Sequence, residues 1–590
     1  MIEPANNAAG PNSTDVSPRR AWALALLIAA TFFAAVAPTL NWLQFSSGNE
    51  NLVVQAALEM RHGGPKLLPQ LMGEPRVKKP PFVTWVTAAA MRPETVSQLS
   101  DEKLREQAYR DLAWQARWPA LVAACVLTLA AFETARVWGG GLCGVMTAMV
   151  VCTNYLFLKY MRQSTTDAHL AAWVAVANIC FAHALLHGRW WLAATGGALA
   201  TGFAFMCKGP VALVETIVPT MAMAAVLHWP FGGRRNRTRA GESPDPSLFE
   251  SLGVPASAIE RRRPPRVILK CIVGLLLFAA VALPWFIYVM QAVPNVAATW
   301  KTEVGREGAT ALERSNPLVY LQLGALTAPW LAFAAVGLWA LWQRRRERAA
   351  WLPFVFSVAP LLVMVWFRDR KERYMLPMIV PAAIICGYGV VTWVRSWRTN
   401  RTRADWAVLV VHSVTLVGAA VTLLVHGVQA ERVDGGTWYS MSLAAWGGAA
   451  LLAFVGLTAI ALRRHATALP VATFLLMLGL LTSYNYGYRD SVQGRSPLKP
   501  IADTIRAEAP GAAVYDWLPR GRADEQIPLY LNHTVLRPDD PAKLVPIDRP
   551  IVLITRQGTR DASPAFGPEW QLLATANEGA VKWFAFVRRP

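Results

Sequence analysis

Charge is scarce in this 590-residue chain: Asp, Glu, Lys and Arg make up 16% of it and hydrophobic residues 54%. Soluble domains carry about a quarter charged residues, so an ordinary soluble or disordered class is excluded. Acidic residues are scarcer still, 38 against 58 Lys and Arg. The basic excess does not gather into one nucleic-acid-binding surface. It sits mostly in short loops between apolar runs, at Arg234, Arg235, Arg237 and Arg239, at Arg261, Arg262, Arg263 and Arg266, at Arg344, Arg345, Arg346 and Arg348, at Arg395, Arg398, Arg401 and Arg403, and at Arg463 and Arg464. The positive-inside rule makes these loops cytoplasmic, so the charge reports topology. The seven cysteines all lie in or beside apolar runs and show no CxxC or Cys/His spacing, which excludes a disulfide framework or a zinc site of that kind. No internal repeat is found. The first apolar run lacks a convincing cleavage site, so it is expected to be a retained span preceded by a cytoplasmic leader, residues 1–20.

What is present in quantity is apolar runs of roughly 17–25 residues, each enough to cross a ~30 Å hydrocarbon core. Ala21 to Leu43, Val267 to Met290 and Trp406 to Val425 are examples. Counting them predicts about thirteen transmembrane helices, near 21–43, 117–136, 141–158, 167–187, 190–207, 209–228, 267–291, 318–342, 350–367, 373–394, 406–427, 437–462 and 466–486. The expected fold class is therefore an all-α polytopic membrane protein whose transmembrane domain covers residues 21–486, with a cytoplasmic loop at 229–266.

With a cytoplasmic N-terminus, two large segments fall outside. The first, residues 44–116, contains a stretch from Glu50 to Arg61 whose Leu52, Val53, Ala56, Ala57 and Met60 form one apolar arc, as expected of a helix lying in the membrane interface. The second, residues 487–590, has soluble composition and predicts a small α/β domain: a helix near Pro497–Ala509, strands near Ala513–Leu518 and Ile551–Thr555, and a hairpin from Trp570 to Val587. The basic turn at 368–373 also falls outside, against the charge rule, and needs a reason to be there.

Ionisable residues at span ends on one side are functional candidates, because they are costly near hydrocarbon. On the external side these are Glu50, Lys79, Asp167, Lys208, and Arg370, Arg373 and Tyr374. Carboxylates supply a base, and Lys and Arg supply charge for phosphate oxygens. The pairing suits transfer from a phosphate-activated donor.

The surrounding motifs extend this reading. They are Asn49 and Glu50 through Glu59 and Met60; Leu68, Pro69, Leu71 and Gly73; Lys79, Pro80, Pro81, Phe82 and Trp85; Arg162, Thr166 and Asp167; Gly202 through Phe205 with Lys208, Gly209 and Pro210; Leu283, Pro284 and Trp285; and Arg373, Tyr374 and Pro377. In this order and spacing, over roughly the first two thirds of the chain, the sequence resembles the bacterial polyprenyl-phosphate sugar transferases related to the aminoarabinose transferase ArnT and to protein O-mannosyltransferases. The resemblance implies a GT-C fold, a glycosyltransferase of the bacterial inner membrane, and a polyprenyl-phosphate-linked sugar as donor. It also implies an envelope lipid, glycan or protein as acceptor. Glu50 and Asp167 would flank the reaction centre, Lys79 and Lys208 would hold the donor phosphate, and Arg370, Arg373 and Tyr374 would add to that grip. No cofactor, metal or nucleic-acid partner is expected, since the lipid phosphate is itself the leaving group.

Relatives nearest the aminoarabinose transferase carry an Asp-Glu pair followed by Arg-Tyr, where this chain has Asn49 with Glu50 and Leu52 with Val53. An amide is no base, so either Glu50 takes the acidic role or the arrangement differs. Each residue also has a plain structural reading. Glu50 could cap a helix, Asp167 could serve an N-cap after two threonines, Lys208 could snorkel, and the 370–374 cations could anchor to headgroups. His62 and His169 are lone histidines, and most of the 25 tryptophans are expected in aromatic belts. A transporter or flippase, or an inactive sugar-lipid binder, remains the alternative class. Charges gathered at one face and the lack of repeats favour the enzyme.

Overall fold

The computed structural model describes residues 16–41, 45, 48–228, 265–304, 327–365, 371–434, 447–449, 451–459, 465–492, 498–517, 530–532, 535–536, 544, 548–558, 568–578 and 581–590. Residues 1–15 of the leader, much of the 229–266 loop and Arg370 lie outside the described residues, and residues 18–20 of the expected leader already belong to the first helix.

The chain is predominantly helical. In order come α1 (Pro18–Val36), α2 (Gly48–Arg61), α3 (Phe82–Ala90), α4 (Pro93–Gln98), α5 (Arg105–Gly139), α6 (Gly141–Cys152), α7 (Tyr155–Tyr160), α8 (Thr166–His187), α9 (Trp190–Leu192), α10 (Ala198–Lys208) and α11 (Val211–His228). There follow α12 (Pro265–Ala292), α13 (Val296–Val304), α14 (Leu331–Gln343), α15 (Leu352–Met364), a 3-10 turn at Glu372–Met378, α16 (Ile379–Thr399), α17 (Arg403–Asp434), α18 (Ala468–Val492) and α19 (Leu498–Glu508). Among the described residues, eight helices are long and apolar enough to cross a membrane. The remaining expected spans coincide with shorter apolar helices, at Gly141–Cys152, Leu331–Gln343, Arg348–Met364, Gly447–Ala459 and Ala468–Thr482. The chain is an integral membrane protein.

Two-sided apolar helices explain the packing. In α1, Ala21, Ala25, Ile28, Phe32 and Val36 are buried at helical spacing, while Leu24, Leu26 and Leu27 stay exposed on the opposite face. An apolar face turned outward is at home in lipid and nowhere else at this scale. At the centre, α16 packs on α6 and α14 through glycines: a Cβ at Gly389 would collide with the Phe333 carbonyl, and one at Gly387 with Thr147. Small residues let apolar helices approach closely where no hydrophobic effect drives them together.

The first large loop departs from expectation in two ways. Helix α5 begins at Arg105, well before the apolar run, because Arg105, Glu106, Arg110 and Asp111 extend the helix beyond the part that hydropathy detects. Helix α2 does not lie flat with one face free: Val53, Val54, Ala56, Ala57 and Leu58 are buried, and so are Glu50, Asn51, Gln55 and Glu59. Its polar face is enclosed by partners. The Glu59 carboxylate accepts the Met72 N–H at 2.7 Å and the Gly73 N–H at 3.4 Å, and Gln55 Nε2 donates to it at 2.9 Å. Those two backbone donors form the tight turn between β1 (Gln70–Leu71) and β2 (Glu74–Pro75), with φ of 57° at Met72 and 79° at Gly73.

Beyond α18, β3 (Ala513–Asp516), β4 (Ile551–Gly558), β5 (Gln571–Glu578) and β6 (Val581–Arg588) form a sheet in the order β3-β4-β6-β5, with β3 and β4 parallel and the rest antiparallel. Helix α19 lays Leu498, Ile501, Ala502 and Ile505 on this sheet. The unit matches the small α/β domain expected at the C-terminal end. It docks on the first loop, since Met72 enters its apolar core, Tyr109 of α5 stacks on Tyr530 at 5.6 Å, and Lys499 pairs with Glu106 at 2.6 Å. Replacing Glu59 by alanine strips the buried Met72 N–H of its acceptor, and about 1–3 kcal/mol should be lost for that buried unsatisfied group. The expected outcome is faster limited proteolysis within residues 66–78, with the helical core intact.

Candidate active site

Four separate parts of the chain meet around Asp167. Helix α8 begins at Thr166 because Thr165 caps it, its hydroxyl accepting the Ala168 N–H at 3.4 Å. Asp167 thus sits in the first helical turn, where the helix dipole favours an anion. Its Oδ1 pairs with Lys208 Nζ, and its Oδ2 lies 3.3 Å from Arg373 Nε. Arg373 Nε is buried and donates no hydrogen bond among the described residues, so the contact with Asp167 is an ion pair only.

Lys208 is the last residue of α10. Gly209 follows at φ 65°, a conformation that favours glycine, and ends the helix, with Pro210 leading into α11. The ammonium sits 3.8 Å from the centre of the Tyr374 ring, a cation–π contact. Lys79 and Arg373 are the other cations that face it. The structure therefore brings Asp167, Lys208, Arg373 and Tyr374 into direct contact, with Lys79, half-buried just before Pro80, within electrostatic reach.

Glu50 joins by another route. Arg117 grips it with both arms, Nε to Oε1 at 2.8 Å and Nη2 to Oε2 at 2.8 Å, and Arg117 Nη1 donates to the Leu40 carbonyl at 2.7 Å. The Arg117 guanidinium also covers the Phe45 ring at 4.8 Å. Oε1 accepts the Ser164 N–H at 2.9 Å, three residues before Asp167, and the Ser164 hydroxyl bonds Thr87 of α3 at 3.0 Å. Glu50 and Arg117 are both buried, with side chains 1% and 4% exposed. Arg117 was not singled out in the sequence, although it is an ionisable residue at the end of an apolar run expected to face outside, the same criterion that selected Asp167 and Lys208.

Tryptophans hold the loop ahead of Lys79. Trp85 Nε1 donates to the Lys66 carbonyl at 2.7 Å, Trp285 Nε1 to Leu67 at 2.9 Å and Trp300 Nε1 to Val77 at 2.9 Å. The Leu283-Pro284-Trp285 motif thus has a physical task, anchoring the segment that presents Lys79. His169 is buried with an unbonded Nε2, and no group of three metal-ligating side chains exists among the described residues. Glu215 of α11 is also buried, and its Oε1 has no hydrogen-bond partner among the described residues.

Known proteins resemble this arrangement at several levels. The family profile described as dolichyl-phosphate-mannose-protein mannosyltransferase matches residues 108–239, the stretch that holds Asp167 and Lys208. An undecaprenyl phosphate-alpha-4-amino-4-deoxy-L-arabinose arabinosyl transferase of Proteus mirabilis is 22% identical over 386 residues, 62% of this chain and 59% of the relative. One from Pseudomonas fluorescens is 21% identical over 400 residues, 66% of this chain and again 59% of the relative. The alignments therefore span less than two thirds of these relatives' length. The crystal structure of ArnT from Cupriavidus metallidurans bound to undecaprenyl phosphate superposes with a TM-score of 0.64 at 16% identity, covering 96% of this chain and 98% of that one. Its apo form gives the same TM-score, 0.64, at 17% identity. Sequence relatives, family profile and fold point the same way: the chain is similar to the ArnT-like transferases in sequence and shares the fold of ArnT.

Proposed function

We propose that this protein transfers a sugar from a polyprenyl-phosphate carrier to an envelope acceptor on the external face of a bacterial inner membrane. The observation that carries the reading is the convergence of one buried carboxylate, Asp167, with Lys208, Arg373 and the Tyr374 ring at a single point. The relatives whose names specify undecaprenyl phosphate-aminoarabinose as donor support that class of donor for this chain. The acceptor oxygen attacks the anomeric carbon as the bond from that carbon to the phosphate oxygen breaks. The electron pair leaves with the polyprenyl phosphate, and where the acceptor is a hydroxyl its proton passes to Asp167. Lys79, Lys208 and Arg373 neutralise the charge that grows on the departing phosphate. Arg370 is assigned to the same phosphate grip from its place in the sequence.

Glu50 enters as the second carboxylate of the centre, and its part is to hold. Both of its oxygens accept from Arg117 and one from the Ser164 N–H, so taking up a proton would break the bonds that fix the Ser164–Asp167 segment. This suits a chain in which Asn49 stands where relatives carry a second acid. The N-terminus is assigned to the cytoplasm and the α/β domain to the external side, where the acceptor would be met.

Mass spectrometry of membrane lipids and envelope glycans from cells with and without the protein tests the reading. The expected result is loss of one sugar-modified envelope component and accumulation of a polyprenyl-phosphate sugar. An unchanged lipid and glycan profile would overturn it.

A further inference from the structure

The basic turn at 368–373 contradicted the charge rule, and its described end shows what anchors it. Glu372, the first residue of the 3-10 turn Glu372–Met378, accepts from both Lys159 Nζ and the Tyr160 hydroxyl of α7. Helix α7 is a fixed platform. Asn154 caps it, Oδ1 accepting the Leu156 and Phe157 N–H groups at 3.0 and 3.3 Å, and Leu156 and Phe157 are fully buried, with Phe157 against Phe32 at 5.1 Å. The next residue after Glu372 is Arg373, which reaches Asp167, and the one after that is Tyr374, whose ring lies under Lys208. Downstream, Met375 and Leu376 are fully buried. The turn is therefore pinned at Glu372 on one side and in the core on the other, with the two residues facing the site held between.

We propose that Glu372 is a positioning residue: by tying the turn to α7 through Lys159 and Tyr160, it holds Arg373 and Tyr374 in place and so sets the grip on the donor phosphate. The inference rests on reading Lys208, Arg373 and Tyr374 as the phosphate-binding group. The Glu372–Lys159 pair is partly exposed, 26% and 38%, so its own energy is small. Its effect is geometric. A tether lost here frees two side chains that must meet a phosphate within a fraction of an ångström.

The sign of the effect separates this role from simple electrostatics. Glu372 is an anion beside an anion-binding site, so removing it should tighten phosphate binding if charge alone acts. Positioning requires the reverse. The experiment measures the Kd of undecaprenyl phosphate for the purified full chain, and transfer in parallel, for wild type, Glu372→Ala, Glu372→Gln and the α7 variant Tyr160→Phe, which removes one contact to Glu372 without changing the charge. Binding should weaken about tenfold in Glu372→Ala and in the α7 variant, the size of one charge-assisted contact, and less in Glu372→Gln, which keeps an acceptor. Unchanged or tighter binding in Glu372→Ala, or in the α7 variant should Glu372→Ala not fold, overturns the inference. If the binding pattern holds but wild type transfers no sugar, the transferase reading fails and the positioning role stands. If wild type transfers but the Kd values do not move, only the positioning role fails.

Discussion

Replacing Asp167 by asparagine is expected to lower sugar transfer by at least about two orders of magnitude, the usual contribution of a positioned base. The amide keeps the size and its one oxygen can still accept from Lys208, but it cannot take the acceptor proton. It also removes the anion that both cations share. Breaking a buried pair from one side leaves a buried charge uncompensated, so part of any loss could be stability. A double variant, Asp167→Asn with Lys208→Met, separates the two effects by removing both charges. Thermal stability should recover toward wild type while turnover does not. Wild-type turnover in Asp167→Asn would remove this residue from the chemistry.

The largest effect on stability is expected at Arg117. Its guanidinium makes two hydrogen bonds to Glu50 and one to the Leu40 carbonyl, all of them buried. Arg117→Met takes away the guanidinium that grips both oxygens of the buried Glu50 carboxylate, a change that costs about 3–5 kcal/mol in comparable buried pairs. Glu50→Gln alone should destabilise in the same direction, by removing the carboxylate charge that Arg117 grips. The two changes together should cost less than their sum, because neither leaves a charge behind. The readout is the fraction of detergent-solubilised protein that remains monodisperse after heating. Additive losses would show that the pair is not coupled, and a normal Glu50→Gln enzyme would show that the Ser164–Asp167 segment holds itself.

The sequence carried much of this in its periodicities. Span length and loop charge located the apolar helices, because a lipid-facing helix must be apolar over its whole length and neighbouring loops carry the bias in arginine. The tail was legible for another reason: Leu498, Ile501, Ala502 and Ile505 keep helical spacing, and the final hairpin places Glu578 opposite Val581 close to the expected turn. Two things were not legible. Hydropathy cannot see the polar first turns of α5, so the helix start fell inside the presumed loop. Nor can it see that both faces of α2 are covered, because Gln55 and Glu59 are satisfied by partners distant in sequence, such as the Met72 and Gly73 N–H groups.

At the site, the one-sided placement of ionisable groups singled out Asp167, Lys208, Arg373 and Tyr374, which the structure brings into contact. The same logic passed over Arg117 and Glu372. Arg117 looked like the edge of a span, and Glu372 was hidden among the cations of its own turn. Their partners, Glu50 on α2 and the Lys159–Tyr160 pair on α7, lie 67 and more than 200 residues away in the chain. Only tertiary contact reveals such pairs.

The most direct test is transfer by the purified protein in defined lipid. Protein supplied with an undecaprenyl-phosphate-linked sugar and an envelope lipid extract should release undecaprenyl phosphate and yield a sugar-bearing product of matching mass. Both signals should vanish in Asp167→Asn. Donor that stays intact with every envelope fraction, while the same protein moves the donor or a small solute across the bilayer, would contradict sugar transfer as the function of this chain.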